Sequence, residues 1–440
     1  MKRILTLFLL IILLSLPALS MSLKEAKEIA LKNNRALKSK ELSYESARWS
    51  YYESAAKLFP KLSVSGTYTE YDPDISIMSA SIFQNSAESY GFNLTQPVFN
   101  GGALFYGSRI QKKLLTLSEY DLKNQRISTI TGVEQKYLAV LESRELLDAA
   151  QKDFTLSKLS EETAEIKYNL GSISKADYLN VRSQTASKEI TVISRENQLK
   201  INKLDLANYL QVDDNFEVER ISFQEYEKQI NKIKSLTPDK MEKILEELIN
   251  HGLEYNPTVK ISELNKEIKK NNVAIARSSL FPAANLAYSQ KWDKADYEED
   301  FDDQGVASLT VTLPIFSVTS NVSKLKQAKN NYEESKLDDD SVKDTVRLQI
   351  KQQFYNLVTA ARSVHSSMLA LEFAQETYDQ MEVRYQNNMV STQDLLDAEL
   401  LLINTKNQNI ISFYNYLKAK SALLQLLGEE DEAELFQYIN

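Results

Sequence analysis

Side chains able to do chemistry are few and scattered in this chain. The two histidines, His251 and His365, sit in unrelated helical segments, and there is no cysteine to serve as nucleophile or soft metal ligand. No glycine-rich loop of the kind that cradles phosphate occurs, with only ten glycines in all. Two acidic runs, Asp338-Asp-Asp340 and the loop Asp296 to Asp303, carry the donor type that holds divalent cations. Runs of like charge are usually solvated, and these read as a helix face and a loop. The expectation is no enzyme: no catalytic residue, no metal site and no cofactor. Function has to come from architecture.

The N-terminus bounds the compartment. Lys2 and Arg3 precede an apolar core from Ile4 to Leu16, and Ala18-Leu19-Ser20 supplies small residues for cleavage, so residues 1–20 read as a secretory signal peptide. About a dozen apolar residues is short for a spanning helix. An exported chain without cysteine forms no disulfide. Loss of Lys2 and Arg3 takes the formal net charge from −9 to −11, which argues against a nucleic-acid partner. No later stretch approaches the apolar run of a spanning helix, so contact with a bilayer would be made by β-strands.

The elements follow from an internal repeat. Ile166–Gln184 is echoed by Val383–Leu401 at an offset of 217 residues, aligning Tyr168 with Tyr385, Ser174 with Ser391 and Asp177 with Asp394. At an offset of 222, Leu31, Asn34 and Leu37 meet Leu253, Asn256 and Val259, and Leu58-Phe-Pro60 meets Leu280-Phe-Pro282. The first repeat spans 21–211, with a helix from Leu23 to Leu58, strands about 61–71 and 89–99, and a long helical hairpin with its tip near 170–174. The second spans 241–428, with a helix, strands about 283–293 and 306–316, and a hairpin with its tip near 387–391. Between them 212–240 is a polar connector, and 429–440 is an acidic tail. The hairpin arms from Ala103 to Leu170 and from Asn321 to Asn388 are each about 68 residues, hence roughly 100 Å as helices. The arms after the tips are just over half as long. Stacked end to end with the helices entering the strands, they would complete a rod four helical columns wide.

Each strand alternates one apolar face with hydroxyl and amide residues: Leu62, Val64, Gly66 and Tyr68 against Ser63, Ser65, Thr67 and Thr69, for example. Aromatics mark both ends, with Phe59, Phe99, Phe281 and Phe316 on one rim and Tyr71, Tyr90 and Trp292 on the other. Ten or eleven residues is the length of a tilted strand crossing a bilayer. Four strands leave two open edges, which hydrocarbon does not tolerate, so the chain must oligomerise to close a barrel. Dimers, trimers and tetramers all give even strand counts.

With these elements in place, nearly the whole chain beyond the signal resembles the TolC family of outer-membrane efflux ducts. The resemblance is carried by Ala30-Leu-Lys-Asn-Asn34, the Leu-Phe-Pro exits, Gln96-Pro-Val-Phe-Asn-Gly-Gly102, Leu313-Pro-Ile-Phe316, Tyr168-Asn-Leu-Gly171 and Tyr385 to Ala398. It implies a mainly α fold with a small β membrane portion. Long α-helical hairpins would form a periplasmic α-barrel, and four strands per protomer a shared trimeric 12-stranded β-barrel in the cell outer membrane. It implies a homotrimer in outer-membrane lipid that exports passively, fed by a periplasmic adaptor (membrane fusion) protein and an inner-membrane transporter of a tripartite efflux or type I secretion system. Asp394 and Asp397 match the family's pore-constricting aspartates, and their i, i+3 spacing puts both on one helix face. Asp177 and Tyr385 match residues that tie helix pairs together in the closed tip. Leu170, Gly171, Ser172, Ser174, Asn388, Met389 and Ser391 fall where adaptors dock. The family's basic tie residue falls at Val390, so the closed tip here would rest on fewer polar links or on a different residue. The competing expectation is a secreted coiled-coil scaffold without a pore, which the long heptads fit and the two alternating hairpins do not.

Overall fold

The computed structural model describes residues 20–70, 86–295, 299–313, 315, 318–387 and 389–430. The expected signal peptide up to residue 19, Tyr71, Phe316, Asn388 and most of the acidic tail lie outside the described residues. In order, the elements are β1 (Ser20–Met21), α1 (Leu23–Asn33), α2 (Arg35–Ala56), β2 (Lys61–Glu70), β3 (Ser86–Phe99), α3 (Ala103–Asn169), α4 (Lys175–Leu210) and β4 (Glu217–Val218). There follow α5 (Phe223–Lys234), α6 (Pro238–Tyr255), α7 (Pro257–Ser278), β5 (Ala283–Ala295), β6 (Asp302–Thr312), α8 (Val318–Gln386) and α9 (Thr392–Leu427). The long arms α3 and α8 have 67 and 69 residues. The chain divides into two compact units, one of Met1–Ser39, Lys123–Pro257 and Lys343–Asn440, the other of Lys40–Leu122 and Thr258–Val342.

The second unit holds a four-stranded antiparallel sheet in the order β2-β3-β5-β6. Pairing Val64 with Phe92, Tyr90 with Trp292 and Leu286 with Leu309 brings the apolar alternate residues onto one face. The other face carries Ser63, Asn93, Ser289 and their neighbours, with Lys291 paired to Asp293 at 2.9 Å. Among the described residues the apolar face is left largely uncovered: Val64 is 79% exposed and Leu309 64%. Pro97, unable to donate to a ladder, sits at a register shift between Pro97 and Phe99. Gly101 turns the chain into α3 at φ +61°, where an added Cβ would lie 2.7 Å from the Ser278 carbonyl.

The fourth strand runs over Asp302–Thr312 and not over 306–316. Its register pairs Asp302 with Asp293 and Thr312 with Ala283, so part of the acidic run expected as loop is strand end. Pro314, two residues beyond, has no N–H to offer a ladder. The second strand likewise starts at Ser86, ahead of 89.

In the first unit the expected single helix from Leu23 breaks at Asn34, whose φ/ψ of −59°/121° leaves the helical region. The Asn34 carbonyl Oδ1 accepts from the Ala36 and Leu37 N–H groups at 3.0 and 3.1 Å and so caps α2. Asn256 repeats the break at −63°/123°, with Pro257 opening α7. Its Nδ2 donates to the Leu426 carbonyl at 2.7 Å. The core joins Tyr137 and Leu141 of α3, Leu206 and Leu210 of α4, Phe354 and Leu357 of α8 and Tyr414 and Leu417 of α9. The segment expected as a polar connector packs on this core through β4 and α5, where Ile230 and Ile233 are buried. Tyr137 donates to the carbonyls of Met21 and Glu219, both at 2.9 Å, pinning the parallel β1–β4 pair. Burial pushes its phenol up to about 12.

Replacing Asn34 by Ala removes both cap bonds of a buried side chain and is expected to cost about 1 kcal/mol, with Asn34→Asp recovering most of it. Chemical denaturation of the purified protein checks this, and an unchanged midpoint for Asn34→Ala would overturn the capping role.

Candidate functional site at the hairpin tips

Both tips belong to the first unit, and both are built by the same local chemistry. At the first, α3 ends as Ser172 N–H bonds the Lys167 carbonyl at 2.8 Å and Gly171 N–H the Tyr168 carbonyl at 2.9 Å. Gly171 takes φ +72°, the left-handed conformation that closes helix ends at least cost in glycine. Ser174 then caps α4. Its hydroxyl accepts from Asp177 N–H at 3.1 Å and donates to the Asp177 carboxylate at 2.6 Å, and Ser174 N–H reaches the same oxygen at 3.2 Å. The second tip repeats the box with Ser391 and Asp394 at 3.2, 2.6 and 2.9 Å.

This assigns a structural task to two of the acids singled out above. Asp177 and Asp394 each satisfy orphan donors at the positive end of a helix. Hydrogen bonds from the Ser391 hydroxyl and N–H hold the Asp394 carboxyl below the usual aspartate value. Asp397, one turn on, accepts from Gln393 Nε2 at 2.7 Å, and Gln393 in turn accepts from Asn180 Nδ2 at 3.2 Å. That polar chain links the start of α4 to the start of α9. Asp394 and Asp397 are both exposed, while Leu395 and Leu396 beside them are buried.

The two tips enclose a cleft of about 500 Å³, lined by Lys167, Gly171, Ser174, Asp177, Tyr385 and Ser391 among others. Asp177 and Tyr385 thus face one space, but Asp177 is engaged by the Ser174 cap. The Tyr385 ring, largely buried, carries Lys167 instead: the ammonium lies 3.9 Å from the ring centroid and donates to the Tyr385 carbonyl at 2.9 Å. Desolvation between the hairpins lowers the Lys167 ammonium from its ordinary value. Lys167 escaped the sequence reading because nothing in its spacing marks it apart from other last-turn lysines. Leu170 and Met389 stand out from the tips at 76% and 74% exposure, beside exposed Ser172, Ser174 and Ser391. Behind the tips the hairpins are joined by the buried Lys188–Glu399 ion pair and by Ala164, Val181 and Leu396 in one apolar cluster, while Ser157 and Thr185, 2.9 Å apart, tie the two arms of the first hairpin together.

The residues considered for metal do not converge. Asp339 of the acidic run is buried, against the expectation of a solvated face, because Lys266 pairs with it and Ser262 donates to it at 2.7 Å. His251 meets Glu429 at 2.9 Å, far in sequence from His365. Among the described residues no group of three or more acids and histidines is placed to hold a metal ion, and no helix is long and apolar enough to cross a membrane.

Two helical hairpins, one from each repeat, and a bare-faced four-stranded sheet are the parts of an outer-membrane channel. The chain belongs to the outer membrane efflux protein family, whose sequence profile matches residues 27–211 and 248–429. Outer membrane protein TolC of Salmonella enteritidis is 24% identical over 397 residues, covering 87% of this chain and 77% of that protein. Among solved structures, CusC superposes with a TM-score of 0.81 at 17% identity over 93% of both chains. The CmeC outer membrane channel of Campylobacter jejuni gives 0.79 at 18% identity, over 95% of this chain and 89% of that one. The protein is therefore an efflux channel of the outer membrane.

Replacing Ser391 by Ala removes the hydroxyl bond, one of the two hydrogen bonds to the carboxylate that favour ionised Asp394. The carboxyl of residue 394 is then expected to titrate at higher pH than in the parent, read by carbon-13 NMR of labelled aspartate. An unmoved titration would show that the cap does not set it.

Proposed function

We propose that three copies of this chain close one conduit across the outer membrane, and that it exports passively what a periplasmic adaptor and an inner-membrane transporter deliver to its tips. The observation that carries this reading is the sheet. Its outer strands β2 and β6 each keep one unpaired edge, and its apolar face is bare. Backbone donors and acceptors cannot be left open in hydrocarbon, so identical neighbours must continue the ladder. The smallest barrels of this kind have about eight strands, which two copies would reach. Three copies, the number the resemblance implies, give twelve strands and a lumen lined by the hydroxyl and amide face.

At the tips the exposed Asp394 and Asp397, repeated by symmetry, make two stacked acidic rings, a constriction that favours cations. Asp177 and Tyr385 belong to the contacts that close the tip, and Leu170, Gly171, Ser172, Ser174, Asn388, Met389 and Ser391 to the surface the adaptor grips. The energy for export comes from the transporter, in keeping with a family of outer-membrane channels.

The double substitution Asp394→Asn with Asp397→Asn is expected to lower the cation preference of the channel in planar bilayers while leaving assembly intact. The parent should run in detergent as a trimer that dissociates on heating. A parent that conducts with no preference for cations, or a double variant that keeps the full preference, would remove the rings. A monomer soluble without detergent would remove the whole reading.

A further inference from the structure

Lys167 and Tyr385 belong to different hairpins, so their contact is a clamp between tips. Three attractions converge on the one ammonium. The ring face of Tyr385 is electron-rich, and 3.9 Å is well inside the range of a cation–aromatic contact. The Tyr385 carbonyl lies in the last turn of α8, where carbonyls lack helical partners, and it accepts from Lys167 at 2.9 Å. The negative end of the α8 dipole adds to both. The neighbouring carbonyls Val383 and Arg384 are already taken by the N–H groups of Asn387 and Met389.

The repeat gives this clamp a counterpart. At the offset of 217, Lys167 corresponds to Arg384 and Tyr385 to Tyr168. Arg384 is likewise the basic residue of the last turn of its helix, and it is exposed. Tyr168 stacks one face on Tyr178, with centroids 5.5 Å apart and planes 6° apart, which fixes the ring in place. In a closed ring of copies the hairpins alternate, first, second, first, second. Each second hairpin then meets the next first hairpin in much the relation that first and second have inside one protomer.

From this we infer that cation–aromatic clamps fasten every neighbouring pair of tips: Lys167 on Tyr385 within a protomer, and Arg384 on Tyr168 of the partner subunit between protomers. The inference rests on the ring arrangement proposed above. It assigns the closing cations to the last turns of α3 and α8, ahead of the turns themselves. An arginine suits the outer position, since its planar guanidinium stacks on an aromatic face and keeps its charge.

The full-length channel tests it in two independent ways. Lys167→Met and Arg384→Met are each expected to raise the resting single-channel conductance several-fold, with Lys167→Arg and Arg384→Lys near the parent. Conductance at the parental level in both methionine variants, with assembly intact, would overturn the clamps. Because the chain has no cysteine, proximity can be read directly. Chains carrying Tyr168→Cys alone and Arg384→Cys alone are co-assembled and treated with a short bis-maleimide. A cross-linked pair of chains is expected from the mixture and not from either variant by itself. An oligomer of normal size that gives no such pair would refute the contact between copies and leave the channel standing. A parent that is monomeric in detergent would instead refute the ring.

Discussion

The constraint on which the structure depends is that a peptide group in hydrocarbon must find its hydrogen-bond partner within protein. Four strands cannot meet it alone. In β2-β3-β5-β6 the interior pairs are complete, yet the outer edges of β2 and β6 are not, and the side chains that should bury a core instead form a bare sheet face. In water that face would be a severe aggregation hazard. In an outer membrane it is the surface that lipid requires, and in the conduit proposed above the edges are the means of assembly. The polar alternate residues need no separate explanation. Once one face is committed to lipid, the period of the strand commits the other to water.

A second constraint governs the tips. Each hairpin must reverse its chain between two long helices and leave few backbone groups open. Ser174 with Asp177, and Ser391 with Asp394, solve this identically, a serine hydroxyl and an aspartate satisfying the first turn reciprocally. The aspartates are therefore bound to their positions by helix initiation, whatever else they do. That has a consequence for charge. An aspartate held ionised by its cap is a fixed negative charge, and Asp397 one turn further on adds another on the same exposed face.

Much of this was legible in the sequence because the physics is local. Phe59-Pro60 and Phe281-Pro282 end helices, alternation over Leu62 to Tyr68 gives a strand, and Ser-x-x-Asp opens a helix at both tips. The misreadings also have physical causes. Asn34 reads as part of a continuous helix because its neighbours keep the helical period; only its amide oxygen, accepting from the Ala36 and Leu37 N–H groups, breaks the run. Asp302 and Asp303 read as loop because they end an acidic run, but β5 offers a ladder that extends the pairing to Asp302. Asp339 reads as solvated because its run is acidic, whereas Lys266 of α7 takes it inside. For the strand end and for Asp339 the deciding partner lies elsewhere in the chain, whereas Asn34 is decided by N–H groups two and three residues on.

Lys167 is the sharpest instance, and it shows what an internal repeat adds. Its role depends on the carbonyl and ring of a residue more than two hundred positions away, so no local pattern could disclose it. Once the contact is seen, the repeat carries it further than the single chain does. Equal spacing places Arg384 and Tyr168 in the corresponding roles, but the partner each needs is not in the same hairpin pair. In the proposed ring a doubled sequence has two kinds of tip boundary, one inside the protomer and one between protomers. Closure is tight only if both are fastened, for a ring with alternate boundaries loose opens at the loose ones. A cation in the last turn of each long helix is the least elaborate chemistry that serves both.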